Sequence, residues 1–175
     1  MQKADIQQSI EFVNILQFPN LYLRLCCALV RASNGANAED FNFVYSRATI
    51  VYSLDFLNQK GRNYLTKIQL FTRLFTSFLI KAKKPMHGIS LIQRAIKVLR
   101  PANEQVSSLN TQFALLCLKA RCLQHALTII EHPITSVMPG TNPIEIITYN
   151  YYRGMIFMGL EKYTDAIEAF RKVLS

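Results

Sequence analysis

The stretch GMIFMGLEKYTDAIEAFRKVL, residues 154–174, decides the fold. It reads as the end of one apolar helix, a short polar turn and a second, amphipathic helix. Two earlier stretches superpose on it: SFLIKAKKPMHGISLIQRAIKVL at 77–99 and ALLCLKARCLQHALTIIEHPI at 114–134. A small residue recurs inside each second helix, at Gly88, Ala126 and Ala166, with intervals of 38 and 40 residues. Four positions on from each stands a large apolar residue: Ile92, Ile130 and Phe170. Ala95 and Val173 follow three later, where the middle stretch has Pro133. Two antiparallel helices that pack closely need a small side chain where they cross. A large one a turn later fills the groove between neighbouring hairpins, so the pattern is that of a stack of helical hairpins.

The last unit resembles the tetratricopeptide pattern. Gly154, Phe157, Tyr163, Ala166 and Phe170 hold its glycine, aromatic, tyrosine, alanine and aromatic places, while Asn150 and Arg153 stand at the usual Trp and Leu places. The intervals of 38 and 40 exceed the roughly 34 residues of the standard repeat. The fold class expected is therefore all-α: a right-handed superhelix (α-solenoid) of tetratricopeptide-like hairpins with longer helices and irregular turns. The expected organisation is a single helical-repeat domain over 1–175, with the hairpins clearest from about 76 to 175 and less regular helices over 1–60.

Working outward, helical periodicity dominates. Ile6, Ile10, Val13 and Leu16–Gln17 predict a first helix that Pro19–Asn20 breaks. A very apolar helix follows over about 21–32, then a turn at SNGANAED, with Asn37 as N-cap and Asp40 reaching back. One long helix is expected over about 38–57, and another over 62–83. Pro85 suits the first turn of the next, which Pro101 ends. Helices are expected over 104–121, 123–131, 143–158 and 163–174, with Asn142 and Pro143 opening the third of these. No segment reads as a strand.

Half the chain is hydrophobic and only 18% is charged, which excludes a disordered chain. The four cysteines make no C-x-x-C and an adjacent Cys26–Cys27 pair is a poor disulfide framework, so reduced, buried thiols are expected. LYLRLCCALV and IQLFTRLFTSFLI are too short to span a membrane and carry Arg24 and Arg73. MQKADIQQSIEF does not read as a signal peptide. The net charge of +9 is concentrated: from Phe56 to Asn103 there is no Asp or Glu, and that window holds ten of the twenty basic residues. Such asymmetry marks either a solvated face or an acidic partner.

The repeat region also resembles subunit 3 of the COP-nine signalosome, a PCI-domain scaffold family. The likeness is carried by LCLKARC at 116–122 followed by Ala126–Leu127, and by Tyr149, Tyr151 and Tyr152 leading into Gly154-Met155-Ile156 and Gly159–Leu160. Lys84–Pro85, Gly88–Ile89 and Ala95–Ile96 are similar too, so it covers about residues 76 to 174. It implies a helical-repeat arm of the kind that leads into a winged helix, none of which is contained in these residues. It further implies membership of the complex that removes the ubiquitin-like protein Nedd from cullins, other signalosome subunits as partners, a non-catalytic role, and a place in cytoplasm and nucleus. The sister scaffold subunit of the proteasome lid, built on the same plan, is the first alternative. A nucleic-acid-binding repeat protein using the 56–103 window is the second, with Tyr64, Phe71, Phe75 and Phe78 as bases' stacking partners.

No catalytic constellation is found: there is no H-E-x-x-H, phosphate-binding glycine loop or G-x-S-x-G. Cys117, Cys122, His125 and His132 invite a zinc reading, but their spacing does not fit one, and no metal or cofactor is expected. The candidate interaction surface is Lys81, Lys83, Lys84, Tyr149 and Asn150, the last two as exposed groups beside core Tyr152, Phe157 and Phe170. Gly88, Ile92, Ala126, Ile130, Gly154, Ala166 and Phe170 are the candidate packing residues of the repeat. An unfinished solenoid exposes an apolar end, here the helix over 163–174, through which self-association is expected.

Overall fold

The computed structural model describes residues 3–33, 37–100, 105–132, 134, 136–138 and 141–174. They form two compact units, divided between Leu99 and Arg100. In the first, α1 (Lys3–Glu11), α2 (Pro19–Ala32), α3 (Ala38–Val51) and α4 (Leu54–Gln59) lead through a 3-10 turn (Gly61–Tyr64) into α5 (Leu65–Lys81) and α6 (Met86–Leu99). In the second, α7 (Ser108–Ala120), α8 (Leu123–Ile130), α9 (Pro143–Gly159) and α10 (Tyr163–Leu174) are accompanied by two short strands, β1 (Gln105–Val106) and β2 (Ser136–Val137). The fold is all-α.

Local chemistry sets most of the boundaries. Asn37 accepts from the Glu39 N–H at 3.1 Å and starts α3, and Asn142 accepts from the Ile144 N–H at 2.9 Å and starts α9. Asp40 does not reach back to the cap; its carboxylate pairs with Lys3 of α1. The first helix stops at Glu11 rather than at Leu16–Gln17, because Asn14 Oδ1 takes the Leu16 N–H at 2.8 Å in a local turn. The single helix expected over 38–57 is two. Val51 ends α3, and Ser53 caps α4 by accepting the Phe56 N–H at 3.4 Å. Tyr52 at the break is buried and its hydroxyl bonds to Thr72 Oγ1 at 2.7 Å, so the corner is held by α5.

The helix expected from 104 begins at Ser108. Ser107 accepts from Leu109 N–H, and Asn110 Oδ1 takes the Ser107 N–H at 3.0 Å, a complete capping box. Ahead of it, β1 pairs in parallel with β2, Gln105 opposite Ser136 and Val106 opposite Val137. Strands of two residues carry no alternation to read. The expectations placed on Pro101, Glu104 and Pro133 lie outside the described residues.

Each unit has its own core. Tyr22, Leu23, Phe56, Phe71 and Phe75 are nearly inaccessible in the first, and Phe113, Tyr149, Ile156 and Phe157 in the second. No helix of the described residues is long and apolar enough to cross a membrane.

Candidate functional site

Three hairpin turns share one backbone design. Lys83, Arg121 and Glu161 each follow the end of a helix with positive φ, at 57°, 58° and 61°. Around each, one N–H reaches back six residues inclusive: Lys84 to the Leu79 carbonyl, Cys122 to Cys117 and Lys162 to Phe157, all at 2.9 Å. The N–H of the left-handed residue itself bonds to Ile80, Leu118 or Met158 respectively, at 3.0–3.2 Å. This is the Schellman ending, which satisfies carbonyls that a helix terminus leaves free. The left-handed positions are 38 and 40 residues apart and stand five residues before Gly88, Ala126 and Ala166. The sequence period is thus a period of backbone conformation.

Gly88, Ala126 and Ala166 are all buried, as are Ile92 and Ile130. Phe170 is half-buried and lies across Gly154 of the same hairpin, with the Tyr151 ring 6.2 Å away. Its ring therefore fills the crossing of α9 and α10 rather than pointing only outward. On α10, Tyr163, Ile167 and Leu174 are exposed.

The basic turn after α5 is only partly a free surface. Lys81, Lys83 and Lys84 are exposed, but the Lys84 ammonium sits 3.9 Å from the centre of the Phe41 ring. Phe41 stacks on Phe78 at 6.0 Å, and His87 meets Phe41 and Tyr45 edge-on at 5.4 and 5.7 Å. This cation–aromatic cluster fastens α3 to the turn. Phe71, Phe75 and Phe78 are buried and offer no face for stacking a base.

Tyr149 and Asn150 are buried, at 1% and 4% exposure, which corrects their assignment to an exposed surface. Burial pushes the Tyr149 hydroxyl up to about 12, against the pull of Arg153 and Arg100. The Asn150 amide donates to the Ile146 carbonyl at 3.0 Å. Their helical neighbours Tyr151 and Tyr152 are the more accessible pair. The residue that sequence reasoning passed over is Arg153. It is buried, its Nε donates to the Ile130 carbonyl at 2.9 Å, and its guanidinium lies 5.1 Å from the Phe157 ring centre. Its standing at an apolar place of the repeat pattern was the available signal.

Cys117 is buried, and desolvation, with Cys122 adding to it, pushes its thiol up to about 12. His125 and His132 are exposed. Among the described residues no three His, Cys, Asp or Glu side chains come together as metal ligands would.

These hairpins match a known pattern: the family described as COP9 signalosome complex subunit 3, N-terminal helical repeats, covers residues 5–175. The chain belongs to this family. The match begins well before the region that carries the residue-by-residue likeness, so α1 to α4 are part of the family pattern as well. COP9 signalosome complex subunit 3 of Dictyostelium discoideum is 31% identical over 114 residues, which are 62% of this chain and 27% of that protein. The Arabidopsis thaliana protein of the same name is 23% identical over 103 residues, 59% of this chain and 23% of the relative. The chain thus matches about a quarter of the length of these curated relatives.

Proposed function

We propose that this chain serves as the helical arm of a signalosome scaffold subunit, holding other subunits and making or breaking no bond itself. The observation that carries this reading is the family match over residues 5–175. The architecture supports it: repeated hairpins whose turns share one geometry suit the display of an extended surface, and function in such proteins resides in what that surface holds. On this reading the removal of Nedd from cullins depends on the arm through assembly, in cytoplasm and nucleus.

The test is recovery of tagged chain from cells, followed by assay of the recovered material for removal of Nedd from a cullin. Signalosome subunits and this activity are expected together. Recovery with the proteasome lid instead, or with neither complex, overturns the reading.

A further inference from the structure

We propose that the groove between α2 and α5 is a docking site for an acidic, amphipathic helix of a protein partner. The two helices pack side by side and run in the same direction: Lys67 Nζ bonds to Asn20 Oδ1 at one end, and Ser33 and Lys81 line one hollow at the other. Two hollows lie along the seam. The first, of about 270 Å³, has Leu23, Cys27, Ala28 and Leu70 as its apolar floor and wall and Arg24, Arg31 and Lys67 on its rim. The second, of about 200 Å³, continues from Arg31 to Lys81 over Val30, Leu74 and Phe78.

Helical spacing makes this one continuous feature. Arg24, Ala28 and Arg31 share a face of α2, and Lys67, Leu70, Leu74 and Lys81 share a face of α5. From Lys67 to Lys81 the seam is about 21 Å long, the length of a helix of about 14 residues. Neither α2 nor α5 contains an Asp or Glu. None of Arg24, Arg31, Lys67 and Lys81 is ion-paired among the described residues. Ser33 is buried at the far end with its hydroxyl lacking a hydrogen-bond partner. The groove therefore offers an apolar trough, a cationic rim and one unmet polar group.

Charge and shape select the occupant. A stripe of apolar side chains at i, i+3, i+4 and i+7 fills such a trough, and carboxylates flanking that stripe meet the rim. Phe78 is the one ring among the residues lining the two hollows and is 3% exposed, so within them nucleic acid finds no ring to stack on. A flat lipid surface does not reach a floor as recessed as Leu23 and Cys27, at 1% and 7% exposure. Part of the site was hidden in the sequence because Arg24 and Arg31 lie outside the acid-free window of 56–103.

The probe is a fluorescein-labelled synthetic helix of about 16 residues, a little longer than the groove, with leucines on one stripe and glutamates beside it. Its anisotropy is titrated with the chain and with Arg31→Glu, Leu70→Asp and Lys119→Glu variants. Arg31→Gln serves should Arg31→Glu lose helix content by circular dichroism. Saturable binding is expected, with about a tenfold loss for a scrambled peptide of the same composition and for the Arg31 and Leu70 variants, and none for Lys119→Glu. No saturation, or equal binding of the scrambled peptide, overturns the proposal. Tighter binding of labelled oligouridine or of phosphatidylserine vesicles, lowered by the Arg31 change, also overturns it and assigns the rim to a polyanion. The groove does not rest on signalosome membership, so its failure leaves that reading standing.

Discussion

The ring of Phe170 lies where a side chain on Gly154 would have to be: a Cβ built on Gly154 comes 2.5 Å from Phe170 Cε1 and 2.7 Å from Cζ. The close approach of α9 and α10 thus depends on a glycine facing an aromatic ring. Gly154→Ala raises helix propensity by about 1 kcal/mol but forces the ring aside, and such overpacking costs about 1–3 kcal/mol. The net expectation is a loss of about 1 kcal/mol. In a Phe170→Ala background the crowding is gone and the same Gly154→Ala change is expected to gain about 0.5–1 kcal/mol. Urea melts of the four proteins of this double-mutant cycle check the reversal of sign.

Arg153 joins two hairpins of the second unit by bonding from α9 to Ile130, the last residue of α8. A carbonyl at a helix terminus has no partner within its own helix, and a cation there also meets the negative end of the dipole. Arg153→Met removes the donor and keeps the apolar stem, so about 2 kcal/mol of stability is expected to go. Arg153→Lys is expected to lose most of that, because lysine has no donor at the Nε position. Equal stability of the Lys variant and the parent in urea would falsify the assignment of the bond as the source.

The period of the hairpins was legible because its marks are side-chain sizes at fixed spacing: Gly88, Ala126 and Ala166 are small and buried in the second helix of each hairpin. Breaks in the N-terminal helices were less so. Apolar residues continue past Tyr52 at Leu54, Phe56 and Leu57, and the break is marked by the Ser53 cap and by the Tyr52–Thr72 bond, which spans 20 residues. Tyr149 and Asn150 misled because polar atoms suggest exposure, whereas the helix turns both inward. The groove of α2 and α5 joins residues more than 30 positions apart, which no local pattern reports.

The three turns place a lysine, an arginine and a glutamate in the left-handed region, where L side chains are strained by about 1–2 kcal/mol. Glycine is the usual residue there, and its absence is why the turn type does not show in the sequence. Arg121 is exposed, so Arg121→Gly is expected to stabilise the second unit by about 0.5–1 kcal/mol, a gain reduced by glycine's greater unfolded-state entropy. A β-branched residue is expected to do the reverse. Thermal melts of Arg121→Gly and Arg121→Val should fall on opposite sides of the parent.

Cys117 links burial to alkaline stability. Its thiol is pushed up to about 12 from an ordinary 9.0, first by desolvation and then by Cys122. Cys26 and Cys27 are raised too, mainly by burial. Because the folded state holds the proton more tightly than the unfolded chain, the contribution is whole below pH 9.0 and is lost as the pH rises toward about 12. Each such thiol steepens the fall by up to about 1.4 kcal/mol per pH unit in that window, and by nothing near neutrality. Cys117→Ala leaves a small cavity and so is less stable near neutral pH. Its stability should nevertheless fall less steeply than the parent's between about pH 9 and pH 10.5, by roughly one thiol's slope. Urea melts of both proteins across that interval settle the matter, and parallel curves would mean that Cys117 ionises alike in folded and unfolded chains.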